Sequence, residues 1–459
     1  MHSLHRMHRV ADLTYFARRY RGMRWEKGVA PDDSGCRSQM KMPCYSPAEM
    51  RNAYNINLLT NAGFTGSGQS IVIIDSYGSP TVAKDLKQFD HDYNLPDPPS
   101  FQVRSPLGTV PFDVNNSDIV GWAQETDMDV EWAHAMAPGA NIVLLTSPIS
   151  ETQGVQGMPE FLALEQYALD NNLGNIISQS WGTTEETLFT PAGKKVMEGF
   201  NRFYKLAASR GVTVLASVGD TGVVNPDVNG NNYKFPTVEF PASSPYVTSI
   251  GGTSLFADTH GTYQSETAWN DGVGSATGGG FSHYFKAPSY QAAALAPYAK
   301  VSKGNRGVPD IAYNGDPTTS IPIYLGFMSS PGYYLFGGTS AGSPQLAGLI
   351  AIADQIAGHS LGFINPELYQ IAASGIAFHD ITTGNNNQGS IIGYRAGKGW
   401  DPVTGWGTPR ATFLIAALIS AYTPSDTIIG ANLAAIASNA RSSGGYSARH
   451  LAHPMHNYI

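Results

Sequence analysis

Along residues 70–220, short apolar runs alternate with stretches of helical period. SIVIIDSYG (70–78), NIVLLTS (141–147), NIISQSWG (175–182) and VTVLASVGD (212–220) are continuous and rich in Val, Ile and Leu, as strands buried on both faces are. Between them, VAKDLKQFDHDYNL (82–95), ETDMDVEWAHAMAP (125–138), GMPEFLALEQYALDNNL (157–173) and KKVMEGFNRFYKLAASRG (194–211) read as helices. Strands alternating with helices join by right-handed crossovers. The pattern therefore predicts an α/β fold, a doubly wound, mostly parallel sheet with helices on both faces. Residues 221–335 are richer in Gly, Pro, Ser and Asn and are expected to supply loops and a few added strands, YVTSIGGTSL (246–255) being the clearest.

Composition supports one large turn-rich body. The chain has 459 residues with 50 Gly and 29 Pro but only 14% charged residues, which suits tight turns joining buried elements. A formal charge of -8 argues against nucleic acid as a partner. The longest apolar stretches, such as FLIAALISA (413–421), reach about half of the roughly 20 residues that span a bilayer, so no membrane segment is expected. The first 22 residues lack the apolar core and small-residue cleavage site of a secretory signal. Cys36 and Cys44 are the two cysteines, and the sequence is equally consistent with a short-loop disulfide and a reduced pair.

Three regions are expected: a basic N-terminal segment (1–45) with nine Lys or Arg against four Asp or Glu, a body (46–424), and a small, polar tail (425–459). Each tail carries His-x-x-His-x-x-His, at His2, His5 and His8 and at His450, His453 and His456, but no carboxylate or cysteine completes a metal-ligand set there.

Candidate chemistry begins in FGGTSAGSPQLAG (336–348). Pro344 is tolerated only in the first turn of a helix, which sets the helix start near 341 and Ser340 at its N-terminal edge. A serine held there sits beside exposed N–H groups and the positive end of a helix dipole. The same residue could be a plain N-cap, so a nucleophile requires a base elsewhere. Glu125 and Asp129, four apart, project from one helix face, and a buried carboxylate pair has one member with a raised pKa. Asp127 and Glu131 fall on another face and are expected to be solvated. Asp220 closes the strand VTVLASVGD, where parallel sheets bind ligands, and a protonated Asp there could donate to an oxyanion. SQSWG (178–182) also ends a strand and could pair with an extended peptide.

Taken together, ETDMDVE, ISQSWG, ASVGDTG and FGGTSAGSP resemble, in order, the motifs of the sedolisin family, serine-carboxyl peptidases with a subtilisin-like fold. GGGFSHYF (278–285) and RGVPDIAYNGDP (306–317) are similar as well, and the likeness runs from about 42 to 422. The resemblance implies Ser340 as nucleophile, Glu125 as general base and acid, Asp129 as orienting carboxylate, Asp220 as oxyanion partner, and Ser180 and Gly182 on the substrate backbone. It also implies one structural calcium ion (Ca2+) held by Asp380 and Asp401 with the carbonyls of Ile381, Gly397 and Gly399, a set suited to a hard cation. Further implications are a peptide or protein substrate, acid-pH activity, a monomer, and an extracellular location. The family's long prosegment has no counterpart in the residues before the body, so the chain is expected to fold poorly alone. Two alternatives stand beside this reading. One is a catalytically silent relative used for binding. The other is a His-dependent subtilase using Asp75 and His260, although His260 follows SLFAD deep in the loop-rich region and His134 lies off the face of Glu125 and Asp129.

Overall fold

The computed structural model describes Trp25 and residues 30–272, 274–372 and 374–422. Its centre is an eight-stranded sheet. In chain order the strands are β1 (Ser70–Ser76), β2 (Phe101–Arg104), β3 (Asn141–Ser147), β4 (Ile176–Gln179), β5 (Thr213–Ser217), β6 (Thr248–Ala257), β7 (Tyr263–Ala268) and β8 (Ile311–Asn314). Their spatial order is β8-β6-β5-β4-β1-β3-β2, every neighbouring pair parallel, with β7 antiparallel on β6. The order reverses on either side of β1, which is the doubly wound pattern the sequence predicts.

Because successive side chains of a strand point to opposite faces, each strand feeds two cores. Ile71 and Ile73 of β1 join one, packed with Ala133 and Met136 of helix α1 (Ser117–Met136) and Leu346 and Ala347 of helix α2 (Gly342–Ala357). Val72 and Ile74 join the other, with Phe161 of the Met158–Asp170 helix and Phe200 of the Pro191–Ser209 helix. The first layer positions the site. Helices α1 and α2 touch at a glycine: a Cβ on Gly348 would stand 2.5 Å from the Met136 Cβ and 3.0 Å from the Ala133 carbonyl oxygen. Side chains larger than hydrogen would hold the two helices apart.

Residues 33–45, read from the sequence as part of a basic N-terminal segment, pack into this body. Asp33–Met40 is a helix, Cys36 and Cys44 form a disulfide, and the buried Tyr45 hydroxyl donates to the Leu255 carbonyl (2.9 Å) and accepts from the Ala257 N–H (3.0 Å). Both histidine triplets lie outside the described residues. Among the described residues no helix is long and apolar enough to cross a membrane.

Candidate active site

The carboxyl ends of β1, β4 and β5 bring Asp75, Ser180 and Asp220 to one end of the sheet, where α1 presents Glu125 and Asp129 and the start of α2 presents Ser340. Ser340 lies in a 3₁₀ turn, Thr339–Ala341, that runs directly into α2. Pro344 is the third residue of α2, as its missing N–H requires. Gly338 makes the approach possible. Its φ of 116° is open to glycine, and a Cβ there would lie 2.7 Å from Asp220 Oδ2.

Asp220 is fixed through one oxygen. Its Oδ1 accepts from the Thr339 N–H (2.7 Å) and the Thr339 hydroxyl (2.9 Å), which in turn accepts from the Gly219 N–H (3.1 Å). Oδ2, over Gly338, is the oxygen left to carry a proton. Burial raises the pKa of Asp220, opposed by the two Thr339 bonds, so the protonated form is favoured.

Asp129 accepts from the Ser180 hydroxyl (2.9 Å), and that hydroxyl also lies 3.2 Å from the Ser340 carbonyl. The Ser340 hydroxyl makes a long contact, 3.5 Å, to the Ser180 carbonyl. Neither oxygen of Glu125 has a hydrogen-bond partner among the described residues. Its environment is nonetheless specific. Burial pushes its pKa well up, the charges of Asp75 and then Asp220 push the same way, and the nearby Ser340 hydroxyl opposes them. Asp129 is raised by burial, then by Asp75 and Glu125. Three acid groups so close cannot all ionise, so they share protons. A long serine–base contact is common in a free enzyme and tightens when substrate is bound.

Asp75 belongs to this cluster. Fully buried, it is pushed up to about 7 by burial, with the Thr126 hydroxyl opposing. The sequence offered it only as a subtilase aspartate; the signal that could have placed it here is its position at the carboxyl end of β1, beside β4 and β3.

One expectation is corrected. Asp127 and Glu131 are buried, because α1 runs through the interior and carries partners on its outer side as well. Asp127 accepts from the Ser79 hydroxyl (2.9 Å) and Glu131 from the Tyr324 N–H (3.0 Å) of the Ile321–Leu325 strand. The two histidines considered for a subtilase triad are elsewhere. His260 is exposed in the turn between β6 and β7, and His134 is buried against the Pro96 carbonyl (2.8 Å) and Asp90 (3.2 Å).

Residues 180–182 follow β4 without a strand partner, and Gly182 faces the side chain of Glu239: a Cβ would meet its Oε2 at 2.8 Å. Farther along, Asp380 and Asp401 turn toward one loop. Asp380 accepts from the Gly399 N–H (3.0 and 3.2 Å) and Asp401 from the Gly397 N–H (3.0 Å). Among the described residues no hydrogen bond is made to the carbonyls of Ile381, Gly397 or Gly399. No group of three or more His, Cys, Asp or Glu side chains is gathered for a metal among those residues. Both oxygens of Asp401 are already taken, Oδ1 by the Val403 and Thr404 N–H groups and Oδ2 by the Gly397 N–H and the Thr404 hydroxyl.

A model described as the subtilase family matches residues 114–372, more than half of the chain and the segment that holds Glu125, Asp129, Asp220 and Ser340. Kumamolisin from Bacillus sp. (strain MN-32) is 37% identical over 395 residues, 83% of this chain and 65% of that protein. The solved structure of Pseudomonas sedolisin, a serine-carboxyl proteinase complexed with two molecules of pseudo-iodotyrostatin, matches with a TM-score of 0.70 at 29% identity, covering 83% of this chain and 99% of that one. The chain belongs to the sedolisin family. Tripeptidyl-peptidase 1 from Homo sapiens is a further relative, 30% identical over 82% of this chain and 64% of its own length. The chain thus spans just under two thirds of the length of the curated relatives it matches. The broad subtilase match suits a fold held in common; what stands around Ser340 is carboxylates.

Proposed function

We propose that this member of the sedolisin family is a serine-carboxyl peptidase, a serine-type hydrolase of peptide bonds in protein or peptide substrates. One observation carries the reading: a serine delivered by a glycine turn to a helix start, against a buried carboxylate pair on a neighbouring helix, with a further acid on its other side. In the mechanism, Glu125 takes the proton of the Ser340 hydroxyl as Ser340 Oγ attacks the scissile carbonyl carbon. The carbonyl oxygen becomes an oxyanion, to which protonated Asp220 Oδ2 donates. Glu125 then gives the proton to the leaving amine as the C–N bond breaks, and water hydrolyses the acyl-serine by the same route reversed. Asp129, held by the Ser180 hydroxyl, orients Glu125. Ser180 and Gly182 offer their backbone to the extended substrate.

This division of labour needs one carboxyl charged and another neutral, so activity belongs in acid. A catalytically silent binding role has less support, since all four groups are present. Asp380, Asp401 and the carbonyls of Ile381, Gly397 and Gly399 would hold one calcium ion, which would supply stability rather than chemistry. A monomer, a prosegment as folding partner and an extracellular location complete the proposal; the Cys36–Cys44 disulfide suits an oxidising compartment. Incubation with a mixed peptide library at acid and neutral pH, with cleavage sites read by mass spectrometry, tests it: acid-dependent cleavage that Ser340→Ala abolishes supports the reading, and cleavage best at pH 8 or above overturns it.

A further inference from the structure

Two serines one step inside the site bind each other. The Ser178 hydroxyl of β4 and the Ser343 hydroxyl of α2 lie 2.9 Å apart, and neither residue has exposed surface. Their place follows from two periods. Ser178 and Ser180 are two apart along one strand, so both face α2, while Gln179 between them points to the opposite core and accepts from the Tyr204 hydroxyl (3.3 Å). Ser340 and Ser343 are three apart where the 3₁₀ turn becomes α2, so both face β4. The result is two rungs between the same strand and the same helix. The outer rung is Ser180 with Ser340, joined by contacts of 3.2 and 3.5 Å, and the inner rung is Ser178 with Ser343.

The inner rung is the firm one. Ser178 is held by the sheet on both sides, paired with Ile73 of β1 and Leu215 of β5. Beside Ser343, Gly342 lets α2 close on the sheet: a Cβ there would meet Ile250 Cγ2 of β6 at 2.7 Å and Tyr313 Cβ of β8 at 3.1 Å. Apolar packing of this kind resists separation but has no preferred direction, whereas a hydrogen bond between two buried hydroxyls has one register. Packing alone does not call for serines. Two alanines would fill nearly the same space and leave no polar group to satisfy. A bridge that sets the register of α2 on β4 sets the distance of Ser340 from Ser180, whose hydroxyl in turn holds Asp129 (2.9 Å).

We propose that Ser178 and Ser343 are positioning residues for acylation, their bridge keeping the Ser340 hydroxyl in register with the Ser180 segment and the carboxylates. The inference rests on the peptidase reading for what Ser340 does. Ser178→Ala, Ser343→Ala and the double variant of the full chain are compared by steady-state kinetics, thermal melting and amide hydrogen exchange. Each single variant should lose about tenfold in kcat with KM changed less than about twofold, since misplacement of the nucleophile weakens the transition state and not substrate binding. The double variant should lose no more than the worse single, because one bridge is lost only once. Its melting temperature should recover above both singles, no hydroxyl being left buried without a partner, while its kcat stays low. Exchange of the amides of residues 339–343 should rise about tenfold or more in all three variants. Single variants with kcat within about twofold of wild type, losses that multiply in the double, a kcat that returns with stability in the double, or unchanged exchange overturn the proposal. A wild-type chain that cleaves no peptide overturns the peptidase reading instead, and exchange, which needs no turnover, still decides the bridge.

Discussion

The residue that makes the sharpest claim is Asp220. Its Oδ1 is occupied by two donors from Thr339, so its service to an oxyanion depends on a proton on Oδ2. Asparagine donates at every pH, whereas alanine cannot donate. Asp220→Ala should therefore lower kcat by about 10²–10³-fold. Asp220→Asn should keep more activity and hold it to higher pH than the wild type, read from pH profiles of kcat; identical profiles for both variants would remove the role. Ser340, Glu125, Asp129 and Asp220 were legible from the sequence because each sits at a position with a local physical signature: a glycine turn before a helix, a four-residue helical spacing, a strand end. Asp75 was not legible as their neighbour. Nothing local to SIVIIDSYG says which helix will lie over the end of that strand; the sheet order decides it.

At the scale of elements, the site depends on the distance between α1 and α2. Gly348 lets them touch, and neither Met136 nor the Ala133 carbonyl can retreat easily from a new methyl group. Gly348→Ala should cost about 1–3 kcal/mol of stability through overpacking. It should also lower kcat more than it raises KM, since it moves the start of α2 relative to Glu125 without touching substrate. Denaturant unfolding with steady-state kinetics checks both, and unchanged values would show that the helices do not set the site. Apart from α1, which begins eight residues before the stretch read as helical, and β2, which the sequence reading missed, the main strands and helices of residues 70–217 fall within a few residues of their sequence positions because each carries a clear period. The error at Asp127 and Glu131 has the opposite origin. A polar face on a helix ordinarily means solvent, but α1 is enclosed on both sides, and each of these two acids is buried with one oxygen bonded, Asp127 to the Ser79 hydroxyl and Glu131 to the Tyr324 N–H.

At the scale of the whole molecule, buried Asp and Glu among the described residues outnumber buried Lys and Arg, of which Arg306 is the one. Asp75, Glu266 and Asp354 are each pushed up to about 7, burial being the main cause in all three. An unfolded chain titrates such groups near about 4. Between those values the folded form binds more protons than the unfolded one, so its stability is fully present in acid and is lost as pH rises toward and through 7. Melting temperatures between pH 3 and pH 8 should fall with rising pH, and a maximum at pH 8 would contradict the assignment of these groups. Calcium belongs to the same scale. If Asp380 and Asp401 hold an ion, chelation should lower the melting temperature and added calcium restore it; an unchanged curve, with no metal by elemental analysis, would remove the site.

The central claim is covalent: Ser340 accepts an acyl group with Glu125 as its base. Acid-quenched mixtures of enzyme and a slowly turned-over peptide ester, digested and read by mass spectrometry, test it most directly. The account predicts an acyl adduct on the peptide that contains Ser340, absent in Ser340→Ala and formed about 10²–10⁴-fold more slowly in Glu125→Gln, with the double variant no worse than Ser340→Ala alone. Peptide hydrolysis at full rate by Ser340→Ala, or an adduct on any other residue, would contradict it.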